Sequence, residues 1–211
     1  SDRELRTYFL PTFKKAIDLG AKTLMVNSGE INGVPVHVNA ELLTQLLRHE
    51  LGFTGVVVTD WEDIYKLVDI HKVAANKHEA VFKAINAGVD MSMTPNDFGY
   101  TEALIDLIKQ GKLRLSRIDS SVFRVLKLKN DLGLFQSMPQ QTYPKFGSSE
   151  HAALSYQVAS ESVTLLKNTD QLLPLKSLQN LFVCGPSAHY LNALNGAWTH
   201  TWQGIDTTFN T

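Results

Sequence analysis

Three short apolar runs recur in the first half of the chain, and each has the composition of a buried β-strand. The runs are Thr23–Asn27, Val56–Asp60 and Val89–Met93, and consecutive runs begin 33 residues apart. Between them, apolar residues recur at the spacing of an α-helix. Strands that alternate with helices in this way predict a parallel sheet joined by right-handed crossovers.

The helical segments have recognisable starts and ends. Ser1 and Glu4 form a capping box at the start of the first predicted helix, and a glycine follows several of the others. The predicted helices are Glu4–Leu19, a segment from the cap Asn39 to Leu51, a segment with Ala80 to Ile85 that ends at Gly88, Glu102–Gln110 before Gly111, and Ser116–Asp131 with Ile118, Val122, Val125 and Leu126 facing inward.

The spacing of the strands favours one α/β architecture over another. A (β/α)8 barrel of about 250 residues divides into units of about 31, which is close to the observed interval, whereas a doubly wound sheet fits less well. Three units cannot close a barrel. We therefore predict that residues 1–135 are the C-terminal part of a (β/α)8 TIM-type barrel.

A polar segment, 136–147, contains Pro139 and Pro144 and is the predicted linker. Residues 148–211 are predicted to begin a second α/β domain, with a helix from Ser148 to about Leu166, a turn at 168–170 and a buried strand at 181–184. No methionine precedes Ser1, and no closing element follows the last predicted strand. We therefore expect the chain to be part of a longer polypeptide.

Composition excludes several classes of protein. The chain is 44% hydrophobic, and its 20 basic and 21 acidic side chains give a net charge of -1, which attracts neither nucleic acid nor an anionic membrane. We expect a small neutral ligand instead. No apolar run reaches the roughly 18 residues of a membrane span. The single cysteine, Cys184, is predicted to be an inert thiol in a buried strand, and no Cys/His spacing indicates zinc, so neither metal nor cofactor is expected.

Polar side chains follow all three strands at the end where the loops of parallel α/β proteins converge on a site. Asp60 follows three valines, a position suited to desolvation, and the indole of Trp61 can stack on a sugar ring. The alternative is that Asp60 only caps the next helix. The other residues in these positions are Asn27, Ser28 and Glu30 after the first strand, Glu62 and Asp63 after the second, and Met93, Thr94 and Asn96 after the third.

Structural roles are predicted for most of the remaining polar and aromatic residues. Glu62 and Asp63 are expected to cap a helix or to be solvated, in preference to binding a divalent metal. Trp198 and Trp202 lie in a glycine-bounded polar segment, which suits either carbohydrate stacking or anchoring of a loop. Surface positions are predicted for His71, Lys72 and His78, and positions in the barrel interior for Met91 and Met93.

Five motifs occur in order along nearly the whole chain, and together they resemble family 3 glycoside hydrolases, particularly the bacterial β-glucosidases. Any one of them alone would be a weak signal. They are Asn32–Pro35, Leu51–Trp61, Ala87–Met91, Thr164–Asn168 and Leu173–Leu175.

The resemblance implies a barrel followed by an α/β sandwich domain, with the active site between them. It assigns Asp60 as the catalytic nucleophile of a retaining β-glucosidase. Trp61 and Trp202, together with Trp198, match aromatic walls of the site, and Ser28 is expected to contact the sugar. Thr59 stands where many relatives have serine.

The resemblance also implies what lies outside residues 1–211. The acid/base glutamate belongs to the second domain beyond Thr211, and a sugar-binding lysine–histidine pair belongs to strands before Ser1. Neither Glu30, Glu62 nor Glu79 matches the acid/base position. We therefore expect the chain alone to be inactive, the rest of the same polypeptide to be its partner, and the location to be periplasmic or secreted.

Two other functions stay open at this point. One is a non-catalytic sugar-binding protein or degenerate family member that retains the fold. The other is an unrelated α/β hydrolase in which Asp60 acts as a base or a metal ligand.

Overall fold

The computed structural model describes residues 1–136, 142–175, 180–190, 193 and 198. The chain divides into two compact units, Ser1–Gln141 and Thr142–Thr211, with the division inside the predicted linker. The assignment of the two units to the end of a barrel and the start of a sandwich domain stays a prediction.

A parallel sheet of three strands is the centre of the first unit. The first unit contains five strands in all, which are β1 (Thr23–Met25), β2 (Glu30–Ile31), β3 (Val34–Pro35), β4 (Val56–Trp61) and β5 (Met91–Met93). The parallel sheet has the order β1-β4-β5, while β2 and β3 form a small antiparallel hairpin. Thr23 pairs with Val56 and Val58 pairs with Met91. The predicted α/β class and parallel pairing are confirmed, and the strand interval of 33 residues equals the offset of this register.

Most helices of the first unit follow the predicted segments, but the helix directly after β4, at Asp63–Asp69, was not predicted. The helices are α1 (Asp2–Glu4), α2 (Leu10–Asp18), α3 (Asp63–Asp69), α4 (Lys77–Ala87), α5 (Gly99–Lys109) and α6 (Leu115–Asp131), with wider helical turns at Leu5–Phe9 and Glu41–Glu50 and a short 3-10 turn at Val36–Val38. The Ser1 capping box forms. Asn39 Oδ1 accepts a hydrogen bond of 3.0 Å from the backbone N–H of Leu42, as expected of a cap.

The apolar core lies between the sheet and these helices. Val57 of β4 contributes to it together with residues of α3, α4 and the Glu41–Glu50 helix. Ile118 of α6 packs against this core, as predicted. Val122 and Leu126 are exposed, so the prediction that they face inward is wrong for the described residues. Fewer residues of α6 therefore contact the core than the spacing of its apolar residues predicts.

A row of side chains across the other face of the sheet is more open to solvent. Met25, Val58 and Met91 are paired across the three strands. Met91 is 49% exposed on this open face, so its position in the interior of a closed barrel stays a prediction. Alternate residues of a strand point to opposite faces, and the core helices pack on the face that carries Val57.

A buried carboxylate joins the sheet to two helices. Asp90 is 0% exposed in its side chain, and its oxygens accept hydrogen bonds from Arg48, Arg124, Ser121 and the backbone N–H of Val57. This cluster lies at the start of β5, at the end of the sheet opposite the predicted site. Position at that end of parallel strands indicates a role in stability.

The described part of the second unit contains the helix α7 (Ser149–Ser162) and a short 3-10 turn at Thr169–Gln171. The Ser148 side chain caps it, as predicted, by accepting from the backbone N–H of His151 at 3.3 Å. The helix ends four residues before the predicted Leu166. The turn after Asn168 is confirmed, because the Asn168 side chain hydrogen-bonds to both backbone groups of Leu173.

The predicted buried strand at 181–184 is not observed. These residues have no regular structure and are exposed, and the thiol of Cys184 is exposed with them. A strand of a parallel sheet needs neighbours with which to exchange hydrogen bonds, and no such neighbour occurs in the part of the second unit that the structure describes. The apolar composition of the run was therefore an insufficient guide.

Candidate active site

Asp60 lies near the carboxyl end of β4, the central strand of the sheet, and its side chain is partly exposed. Its Oδ1 atom accepts a hydrogen bond of 2.6 Å from the backbone N–H of Trp61. The next helix, α3, is preceded by Glu62 and has no side-chain cap. Asp60 therefore does not cap that helix, and the structural alternative left open by the sequence is wrong.

The chain reverses sharply just after Asp60. Trp61 is the last residue of β4, and its side chain is 47% exposed. Glu62 adopts a left-handed conformation (φ 57°, ψ 16°), and α3 begins at Asp63. A non-glycine residue in this region is uncommon and costs about 1 kcal/mol or more, so the surrounding structure holds it there. The reversal leaves Asp60 and Trp61 at the edge of the sheet.

Asp63 occupies a different environment from the predicted one. It is 1% exposed, so the prediction that it is solvated or a simple cap is wrong. Its Oδ2 atom accepts a hydrogen bond of 2.6 Å from the Ser28 hydroxyl, and its Oδ1 atom accepts one from the Lys66 ammonium. Ser28 therefore uses its proton to bind Asp63, which links the β1 loop to the start of α3.

His37 completes this buried cluster, and sequence reasoning missed it. The ring is 1% exposed, with Nε2 3.5 Å from Asp63 Oδ2 and no hydrogen-bond partner for that nitrogen among the described residues. Burial lowers the pKa of His37 below its ordinary 6.5, and the Asp63 carboxylate partly opposes this shift. His37 lies in the short 3-10 turn Val36–Val38, whose three residues show no periodic pattern that would predict burial. The only sequence signal near it was the family motif Asn32–Pro35.

The loops around this cluster bring further charged groups together. His71 Nδ1 lies 2.7 Å from Glu30 Oε1, and the ring is largely buried, so the predicted surface position of His71 is wrong. Lys72 is exposed, as predicted. His78 is half exposed beside Asp106, again at the surface.

The loop after β5 is fixed to α3 by a second set of contacts. The Tyr65 hydroxyl donates to Asp97 Oδ1 at 3.0 Å, and the backbone N–H of Gly99 donates to the same oxygen at 2.8 Å. Burial, with Asp97 nearby, raises the pKa of Tyr65 to about 12, so this hydroxyl remains a donor at neutral pH. Lys77 lies 4.1 Å from the centre of the Tyr65 ring. These contacts connect the loop after β5 to the helix after β4, and so they fix the edge of the sheet beside Trp61.

The predicted aromatic walls are described only in part. Trp198 is 84% exposed and has a positive φ of 64°, whereas Trp202 lies outside the described residues. In the portions of the chain that the structure covers, no three His, Cys, Asp or Glu side chains are arranged to hold a metal ion. No helix there combines the length and apolarity of a membrane span.

Comparison with known families decides what this arrangement belongs to. Residues 1–128 match the N-terminal domain of glycosyl hydrolase family 3. The chain belongs to glycosyl hydrolase family 3. The matched range contains both Asp60 and the buried cluster around Asp63.

Relatives of this family 3 chain include proteins named beta-glucosidase and proteins named beta-xylosidase. It is 44% identical over 214 residues to the lysosomal beta glucosidase of Dictyostelium discoideum, covering 96% of this chain and 26% of that protein. It is 36% identical over 207 residues to the periplasmic beta-glucosidase of Salmonella typhimurium, covering 94% and 27%. A beta-xylosidase of Formosa agariphila is also 36% identical, over 200 residues, covering 90% and 28%. The chain thus spans about a quarter of the length of these relatives.

Solved structures agree with this family assignment. The beta-glucosidase of Listeria innocua in complex with glucose has a TM-score of 0.69 and 36% identity, over 83% of this chain and 24% of that one. A mutant of the exo-1,3/1,4-beta-glucanase of a Pseudoalteromonas species has a TM-score of 0.76 and 32% identity, over 98% and 33%.

Proposed function

We propose that the full-length protein is a retaining β-glucosidase in which Asp60 is the nucleophile. The observation that carries the proposal is the position of Asp60 at the carboxyl end of the central strand, with the exposed indole of Trp61 next to it. Catalytic groups of parallel α/β enzymes collect at this end of the sheet. Membership of family 3 supports a glycosidase over a binding protein or an unrelated hydrolase.

The geometry of Asp60 suits nucleophilic attack. Oδ1 is held by the backbone N–H of Trp61, while no donor among the described residues contacts Oδ2. One oxygen therefore orients the carboxylate, and the other can attack the anomeric carbon. A retaining enzyme also needs a second carboxyl group about 5–5.5 Å away to protonate the leaving oxygen and later to activate water. We place that acid/base glutamate outside residues 1–211.

Trp61 supports a carbohydrate substrate and its orientation. An exposed indole beside the nucleophile offers a flat apolar surface for one face of a sugar ring, and its contribution is to binding, not to bond cleavage. We propose that Trp202 and Trp198 are further aromatic residues that bind the substrate, and that Ser28 contacts the sugar through its oxygen while it donates to Asp63. β-Glucosides and β-gluco-oligosaccharides, cleaved from one end, are the proposed substrates.

A β-xylosidase is the second candidate, because one relative of similar identity carries that name. The two activities differ at the sugar hydroxymethyl group, which xylose lacks. Comparison of kcat/KM for p-nitrophenyl β-glucoside and β-xyloside with the full-length protein separates them. We expect the glucoside to be preferred, and a higher kcat/KM for the xyloside would reverse the assignment.

Three further features belong to the same proposal. The β1-β4-β5 sheet would form the last part of a closed (β/α)8 barrel, with the row of Met25, Val58 and Met91 facing its interior, and the second unit would begin a sandwich domain. A periplasmic or secreted location is supported by the periplasmic relative. We expect residues 1–211 alone to be inactive, because the described carboxylates include no matched acid/base.

Covalent trapping of the full-length protein tests the nucleophile. A 2-deoxy-2-fluoro glucoside with a good leaving group slows both steps through its fluorine, while the leaving group lets the first step proceed, so the glycosyl ester accumulates. Peptide mapping should then place the label within 55–61. Asp60→Ala should abolish trapping, whereas Asp69→Ala, at an exposed carboxylate of α3, should not.

Two outcomes would contradict the mechanism. Label on a carboxylate other than Asp60 would move the nucleophile. NMR of the first-formed sugar should show the same anomer as the substrate, and the opposite anomer would show an inverting enzyme. A full-length protein that binds glucose but neither hydrolyses glucosides nor takes up the label would be the non-catalytic relative instead.

A further inference from the structure

We propose that the Thr59 hydroxyl is a positioning group that fixes the orientation of Asp60 by holding open a bulge in β4. This inference rests on the proposed role of Asp60 as the nucleophile. Thr59 stands where many relatives have serine. Threonine and serine share a hydroxyl group, and we assign the function of this position to that group.

The pairing of β4 with β5 is irregular at this point. Val58 pairs with Met91 and Trp61 pairs with Met93, so three steps along β4 correspond to two steps along β5. One extra residue is therefore accommodated in β4 between Val58 and Trp61. A bulge of this kind changes the direction in which the following side chain points and is frequent beside active sites.

The Thr59 hydroxyl takes the place of a missing ladder hydrogen bond in the bulge. Its Oγ1 atom accepts from the backbone N–H of Met93 at 2.9 Å and donates to the backbone carbonyl of Asp60 at 2.8 Å. A backbone hydrogen bond between the strands follows two residues after Asp60, where the N–H of Glu62 donates to the Met93 carbonyl at 2.8 Å. The hydroxyl thus connects the two strands directly at the residue that carries the carboxylate.

Burial makes this hydroxyl difficult to replace. Thr59 is 0% exposed, so water cannot take over either hydrogen bond without a change in the structure. An unpaired backbone N–H and an unpaired carbonyl in such a place are costly. Without the hydroxyl, β4 gains by shifting toward regular pairing with β5, and that shift would move Asp60.

The predicted consequence is a slower attack with little change in sugar binding. A misplacement of about 1 Å of a reacting group can reduce its rate about 100-fold. Sugar binding depends chiefly on other contacts, such as the face of Trp61. A residue that only stabilised the fold would instead change both quantities together, or neither.

The experiment compares Thr59→Val, Thr59→Ser and the control Thr54→Val in the full-length protein. The control removes the same atom from an exposed threonine just before β4. The first-order rate of labelling by the 2-deoxy-2-fluoro glucoside and the Kd of glucose are measured for each. We expect Thr59→Val to be labelled about 100-fold more slowly, with a glucose Kd that stays close to the wild-type value. Thr59→Ser and Thr54→Val should be labelled at about the wild-type rate.

Several results would overturn the inference. Labelling of Thr59→Val at the wild-type rate would show that the hydroxyl does not position Asp60, and so would Thr59→Ser labelled as slowly as Thr59→Val. If Thr59→Val does not fold, Thr59→Cys replaces it, because a thiol is a weak donor and acceptor. Equal labelling of the Cys and Ser variants would then refute the inference. Failure of the wild-type protein to label at Asp60 would instead refute the proposed function.

Discussion

Substitution of Asp90, the buried carboxylate at the start of β5, is expected to change the stability of the first unit more than any other change proposed for it. Its side chain is completely buried, and its carboxylate accepts hydrogen bonds from Arg48, Arg124 and Ser121. It also accepts one from the backbone N–H of Val57 at 3.0 Å. Asp90→Asn keeps the size of the side chain but removes its charge, so the change isolates the electrostatic contribution of this residue.

The expected loss follows from the partners that remain. The amide oxygen of asparagine can still accept from Ser121 or the Val57 N–H, but three arginines, Arg48, Arg117 and Arg124, lose the charge that compensates them. Burial already lowers the pKa of Arg48, and the Asp90 carboxylate opposes that shift. Removing one member of a buried charge cluster costs about 3–5 kcal/mol, because the remaining charge is left without compensation. We expect a loss of free energy of unfolding in this range.

Urea denaturation of the 211-residue chain at pH 7, followed by circular dichroism, measures this loss. The matched control is Asp119→Asn, the same chemical change at an exposed position of α6. It should alter the free energy of unfolding by less than about 0.5 kcal/mol. A loss below about 1 kcal/mol for Asp90→Asn would show that the cluster is not electrostatically important to the fold.

Two other predictions concern the site. Trp61→Ala in the full-length protein should weaken disaccharide binding by roughly 1–3 kcal/mol, and an unchanged KM would reject stacking; Phe123→Ala, at an exposed ring of α6, is the control. Because burial lowers the pKa of His37 below 6.5, the unfolded chain binds this proton more readily, and stability falls as the pH drops below about 6.5. Urea denaturation from pH 7 to 5 should show a smaller loss of stability for His37→Gln than for the wild type. The control His49→Gln, at an exposed ring, should lose as much stability as the wild type. Equal pH dependence in both variants would refute a neutral buried His37.

The positions of most helices and strands followed from local patterns. Ser1 and Ser148 cap the helices that follow them, and Gly88, with a φ of 131°, ends α4. These signals act between residues a few positions apart, so the sequence around each one is sufficient to read them. The same reasoning failed at 181–184, because an apolar run becomes a strand only where another strand pairs with it.

The sequence by itself determined the parallel order of the strands and the placement of Asp60 after a buried run. The interval of 33 residues set the register, since each strand–helix unit returns the chain to the next position in the sheet. Only the tertiary structure decided which carboxylate is buried and how Asp60 is held. Asp63 meets Ser28 across 35 residues, and Thr59 meets Met93 across 34. Such contacts depend on the packing of whole elements, and no local pattern of residues encodes them.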